Sequence, residues 1–217
     1  RVTEYPVIML SAIEALNRLR EGNARFVSDT RASEAAVDRL RRLQVAKNQE
    51  PFAIIFGCSD SRVPAEIIFD QGLGDLFVIR VAGNVVAPSQ IGSVEFAAER
   101  FGTRLVVVLG HSTCGAVTAT LEELGRPSEA QSPNLRSIVN RVRPAVQSLL
   151  AAGAASLPPR ELMTLAVRAN ISASVNHLRH GSAILEDLER RDGLLVVGAE
   201  YSLDTGIVDF FEGLPQG

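Results

Sequence analysis

The stretch FAIIFGCSDSR, residues 52–62, passes from apolar to charged without a break. FAIIFG carries no polar side chain, which suits a strand buried on both faces of a parallel sheet. Three comparable runs follow: LFVIRV (76–81), RLVVVLG (104–110) and GLLVVGA (193–199). Helices are predicted between and around them, at about 64–69, 89–101 and 115–124, then 133–150, 159–179 and 182–191. Gly102 and Gly125 stand at two of the helix ends, a common stop signal. TGIVDFF (205–211) reads as a fifth strand, antiparallel on an edge. The alternation predicts a single α/β domain with a mostly parallel central sheet, about four parallel strands plus an antiparallel edge strand, flanked by helices.

Working outward to the N-terminus, SAIEALNRLREGNARFV (11–27) reads as an amphipathic helix, with Ser11 and Glu14 at capping-box spacing. A second helix is predicted over 32–47. The two form an N-terminal helical arm (1–48) ahead of an α/β core (49–217). The arm needs a surface to pack on, and a partner subunit is one candidate. A chain of 217 residues can bury one good core. It is 46% hydrophobic and 22% charged, and its net charge of −3 gives no electrostatic reason to expect nucleic acid or an anionic membrane as partner. No apolar run reaches the roughly 18 residues of a membrane span. The expected localisation is cytoplasmic; a chain starting at Arg1 rather than Met leaves a periplasmic or exported protein open.

The chemistry gathers at the strand ends. Cys58 lies just past the first strand, and His111 and Cys114 lie just past the third, in GHSTCG. Sites in open α/β sheets form beyond the carboxyl ends of the strands, so these three residues are predicted to meet. Two thiolates and an imidazole are a donor set for catalytic zinc, which keeps a fourth position open. Cys114 is also placed near a helix N-terminus, which favours its thiolate. Two buried thiols, or a disulfide between adjacent strand ends, would explain the cysteines alone. Neither explains Asp60 and Arg62 beside Cys58, or His111 beside Cys114. A phosphatase loop needs an Arg where Pro64 stands, and QGLGDLF precedes a strand rather than opening a helix. His177 and His180, in NHLRHG, read as a polar helix end rather than a second metal site.

CSDSR (58–62), VPAE (63–66) and GHSTCG (110–115), with GDLFVIRVAGN (74–84) between them, resemble the β-class carbonic anhydrases. The resemblance runs from EALNRLREGNARFV (14–27) to LLVVGAEYSLDTG (194–206) and follows the plant-like pocket pattern of some bacterial members. It implies one Zn2+ per chain on Cys58, His111 and Cys114. It further implies reversible hydration of carbon dioxide to bicarbonate and a proton, by zinc-bound hydroxide oriented by an Asp60–Arg62 dyad. An Asp60 released from Arg62 would instead close the fourth position.

The family's substrate pocket carries over onto Gln49, Phe77, Ala82, Phe96 and Gly115, with Val81 as a further apolar wall. Ala82 stands for a Val and Phe96 for a Tyr, so one hydroxyl is lost. Ala116 replaces a Gly. In the family, Gln49 and Phe77 reach the zinc of a neighbouring subunit, which implies a homodimer or a dimer of dimers. A non-catalytic bicarbonate site of some members uses a Trp where Ile55 stands, so that site is not expected. Two other functions remain open: the same zinc chemistry on carbonyl sulfide or carbon disulfide, and a zinc-stabilised interaction protein with a dead site. The intact Asp60–Arg62 pair argues against the second.

Overall fold

The strands are β1 (Ala53–Gly57), β2 (Leu76–Arg80), β3 (Leu105–His111), β4 (Leu195–Tyr201) and β5 (Val208–Glu212). They form one sheet in the order β2-β1-β3-β4-β5. The first four are parallel, and β5 pairs antiparallel with β4 on the edge. The structure is a computed structural model that describes residues 10–31, 39–125 and 132–215. Every residue of β1 and β3 is buried, as their unbroken apolar runs require.

Side chains alternate across the sheet, so each strand feeds two cores. Ile54, Phe56, Val106, Val108 and Val196 face one layer; Ala53, Ile55, Leu105, Val107 and Val197 face the other. The helices divide accordingly. α1 (Ala12–Val27) and the short α3 (Ala65–Ile68) cover the second face. The first face is covered by α4 (Pro88–Arg100), α5 (Gly115–Gly125), α6 (Pro133–Ala151), α7 (Pro159–His180) and α8 (Ala183–Arg191). α7 comes so close to β3 that a Cβ on Gly110 would fall 2.5 Å from the Ile171 side chain. No helix among the described residues is long and apolar enough to cross a membrane.

Three details differ from the sequence expectation. The second helix, α2 (Arg39–Val45), ends before residue 47, and 32–38 lie outside the described residues. β4 begins at Leu195 rather than 193, because the Leu194 N–H still donates to the Leu188 carbonyl at the end of α8. α1 finds its packing surface within its own chain: Ala15, Leu16 and Leu19 are fully or almost fully buried beneath the sheet. Its start is the expected capping box, with Ser11 and Glu14 bonded reciprocally.

Asn23 fastens α1 to the far end of the chain. Its amide donates to the carbonyls of Ile68 (3.2 Å) and Gly206 (2.9 Å), and its oxygen accepts from the Val208 N–H (2.9 Å). Asn23→Ala strands these groups in a buried setting, where each orphan costs about 1–3 kcal/mol. The expected loss in urea unfolding exceeds about 2 kcal/mol; a variant as stable as the parent shows that α1 is held by its apolar face alone.

Candidate metal centre

The strand order reverses between β1 and β3, so the loops leaving these neighbours turn away from one another and open a crevice at their carboxyl ends. Gly57 pairs with Leu109, which brings the next residue, Cys58, alongside Gly110 and His111. The chain then reverses within His111–Cys114 through Thr113, whose φ of 53° is left-handed. That conformation is strained for a β-branched residue, and it returns Cys114 to the crevice at the start of α5.

The ligand atoms of Cys58, His111 and Cys114 all lie within 4.8 Å of one another, and all three residues are buried. The sulfurs are 4.0 Å apart, far beyond the roughly 2.05 Å of a disulfide. Two thiolates about 2.3 Å from one tetrahedral ion would sit close to that separation. His111 Nδ1 is 2.9 Å from the Ser112 carbonyl, which can only accept, so Nδ1 carries the proton and Nε2 is a bare lone pair. Nε2 is buried and has no hydrogen-bond partner. An orphaned imidazole nitrogen facing two thiols fits a metal ion.

The charges agree. The hydrogen bond shared with Cys114 pulls the Cys58 thiol well below the usual thiol range, despite burial. Cys114 is pushed up, first by the hydrogen bond it shares with Cys58, then by burial and by the charge of a neighbouring thiolate. A dication between them removes that conflict and holds both as thiolates. Burial opposes a charge on His111, yet the Cys58 thiolate outweighs it and raises the imidazole's pKa. The Gly83 N–H adds a donor to the Cys58 sulfur at 3.3 Å.

Asp60 stands beside this group, with Oδ2 3.8 Å from His111 Nε2. Arg62 grips it in a fork: Nε to Oδ1 at 2.9 Å, Nη2 to Oδ2 at 2.7 Å, and the backbone N–H to Oδ1 at 3.0 Å. Arg80, at the end of β2, holds the loop from the other side. It donates Nε to the Cys58 carbonyl at 2.9 Å and Nη2 to the Asp60 carbonyl.

The residues expected around a substrate are not gathered in one chain. Ala82 and Gly115 adjoin the centre, Ala82 in the turn Ala82–Asn84 and Gly115 directly after Cys114. Gln49 lines a cleft of about 700 Å3 with Phe52, Arg100 and Phe101 at the amino end of the sheet. β1 separates it from Cys58 by roughly 16 Å, at about 3.3 Å per residue. Phe77 and Phe96 pack with Phe101 as an aromatic trio, ring centroids 5.7–6.3 Å apart, and Phe96 is 53% exposed. Ile55 is fully buried in the core. His180 pairs with Glu186 at 3.6 Å.

Sequence reasoning missed the Arg80 brace and the Gly83–Asn84 turn. A Gly-Asn pair just after a strand was the available signal for the turn.

A profile of the carbonic anhydrase family matches residues 53–208. The carbonic anhydrase of Mycolicibacterium smegmatis is 38% identical over 197 residues, 91% of this chain and 92% of the relative. The solved β-carbonic anhydrase of Coccomyxa, in complex with acetazolamide, is 27% identical with a TM-score of 0.71, covering 90% of this chain and 86% of that one. A tetrameric β-carbonic anhydrase of Sordaria macrospora shares the fold at 22% identity and a TM-score of 0.70, over 78% of this chain and 84% of that one.

The Arg62 fork holds the Asp60 carboxyl well below the usual carboxylate range. A pKa lower in the folded state stabilises the fold above the unfolded value of about 3.9, and that contribution is lost as pH falls through the folded value. Carboxyl 13C NMR should find Asp60 still ionised near about pH 3, and Arg62→Ala should return it toward the ordinary value of about 3.9. An ordinary titration in the parent protein contradicts the fork.

Proposed function

From the premise that this chain belongs to the β-class carbonic anhydrase family, we propose that it catalyses the reversible hydration of carbon dioxide to bicarbonate and a proton on a single zinc ion. The observation that carries the reading is the bare His111 Nε2, buried between two thiols and beside an arginine-held carboxylate. Cys58, His111 and Cys114 would hold the metal. Zinc bound by three protein ligands supplies a water acidic enough to act as a nucleophile near neutral pH.

The chain's own groups supply the rest. Asp60, kept ionised by Arg62, has only lone pairs to offer, so it would accept a hydrogen bond from the attacking O–H, without taking its proton, and aim the oxygen's lone pair at the substrate. The fork fixes the carboxylate in both position and plane, as a lysine could not. Arg80 ties the Cys58 and Asp60 carbonyls to one guanidinium, which fixes the loop that carries both the thiol and the carboxylate. Carbon dioxide is small and carries no charge, so it needs apolar walls and few polar anchors.

Gln49 lies in the cleft at the amino end of the sheet, away from its own chain's ligand set, which supports a site shared between subunits of a homodimer. The exposure of Phe96, and of Leu40 and Leu43 on α2, supplies apolar surface for such contact. The tetrameric Sordaria neighbour shows that the fold supports assembly.

Stopped-flow carbon dioxide hydration, with zinc assayed on the same samples, tests the activity. The parent should carry one zinc per chain and turn over. Cys58→Ser should lose both, and Asp60→Asn should keep zinc and lose about 100-fold or more in turnover. Zinc-loaded protein without turnover contradicts the proposal, and a fully active Asp60→Asn removes Asp60 from it.

Sharing has its own test. A mixed dimer of Gln49→Ala and Cys58→Ser contains one site with both groups intact. Mixing should raise activity above either variant alone; no gain places Gln49 outside the partner's site.

A further inference from the structure

The face that α7 turns to the sheet is apolar with two exceptions. Ala166, Val167, Ile171, Val175 and Leu178 are buried there at helical spacing, and so are Asn170 and Ser174, 3% and 5% exposed. Burying an amide and a hydroxyl in such a layer is unfavourable unless each finds a partner. Both do, and the partners are consecutive: Asn170 Nδ2 donates to the Gly83 carbonyl at 2.8 Å, and Ser174 Oγ donates to the Asn84 carbonyl at 2.9 Å. One helical turn of spacing on α7 is thus matched to two adjacent peptide units of the turn after β2.

That turn is not relaxed backbone. Gly83 has φ +68° and Asn84 has φ +43°, so two successive residues are left-handed, and the second is not glycine. A Cβ on Gly83 would fall 2.7 Å from the Ala116 side chain, so α5 presses on the turn from the side of Cys114. At the entry to this turn, the Gly83 N–H points at the Cys58 sulfur, 3.3 Å away.

We propose that Asn170 and Ser174 are positioning residues for the metal centre, holding the Gly83–Asn84 turn from α7 so that the Gly83 N–H stays aimed at the Cys58 sulfur. The inference rests on the metal reading above. A hydrogen bond to a thiolate stabilises its negative charge and reduces what it donates to a bound cation, so the turn tunes the metal through its ligand. Neither residue touches the ligand set; both act through the peptide between them and it.

Cobalt(II) in place of zinc makes the sulfur's electronic state visible as a thiolate-to-cobalt charge-transfer band. The experiment compares the full chain with Asn170→Ala, Ser174→Ala and Ser172→Ala. Ser172 is also on α7, but its hydroxyl bonds Glu212 on β5. In Asn170→Ala the band should move to lower energy, because the sulfur loses its N–H donor, and chelator-driven cobalt release should speed up about 10-fold or more, because the loop bearing Cys58 loses its bracing. Ser174→Ala should change both in the same direction by less, and Ser172→Ala should change neither.

A core filler that merely satisfied buried carbonyls would lower the melting temperature and leave the band where it was. Folded Asn170→Ala and Ser174→Ala with the parent band overturn the proposal. If Asn170→Ala does not fold, the band of Ser174→Ala decides alone. A parent chain with no Cys58-dependent charge-transfer band fails earlier, at the metal reading itself.

Discussion

Two neighbouring parallel strands, β1 and β3, release their chains in opposite directions at the same end of the sheet, and the rest of the site depends on that pairing. The register that sets Gly57 against Leu109 leaves Cys58 beside Gly110 and His111. Everything polar in the crevice is then placed by short segments. Four residues carry His111 to Cys114 through a left-handed Thr113, and five carry Cys58 to Arg62. A slip of one residue between these strands would send Cys58 to the other face of the sheet. The packing of Ile54 and Phe56 on one side and Ile55 on the other makes such a slip unfavourable. The apolar layers therefore specify the metal centre, and Cys58 and Cys114 are themselves part of one of them.

Around the ligands, the chain is braced from three directions. Arg80 reaches from β2 to the carbonyls of Cys58 and Asp60, Arg62 forks the Asp60 carboxylate, and the Gly83 turn, held from α7, meets the Cys58 sulfur. Ordering these groups during folding leaves little reorganisation for the reaction itself, which is how fixed dipoles contribute most. The arrangement is lopsided in one respect. The braces crowd the thiolate of Cys58, whereas the aromatic trio and Gln49 lie elsewhere on the chain's surface.

Much of this was legible in the sequence because its signals are local or periodic. The unbroken apolar runs at 53–57 and 105–110 suit strands buried on both faces, and both are. Position at a strand's carboxyl end was then enough to bring Cys58, His111 and Cys114 together. Ser11 and Glu14 announced the start of α1 by their spacing. What could not be read depends on contacts far apart in sequence. Arg80 looks like the polar end of an edge strand until its two carbonyl partners, 20 and 22 positions away, are seen. Asn170 and Ser174 break an apolar helix face, which is a visible anomaly, but their targets lie almost ninety residues upstream. That Ala15, Leu16 and Leu19 of α1 find cover within their own chain was settled by the shape of the second core and not by the helix's pattern.

The most direct test of the central claim is zinc K-edge X-ray absorption on the full chain. The account predicts two sulfur neighbours at about 2.3 Å and two lighter neighbours at about 2.0–2.2 Å, one with the scattering signature of imidazole. Replacing Cys58 by serine should remove the ordered site altogether. Zinc surrounded only by nitrogen and oxygen, or a spectrum unchanged by that substitution, would contradict the assembly of Cys58, His111 and Cys114 into one centre.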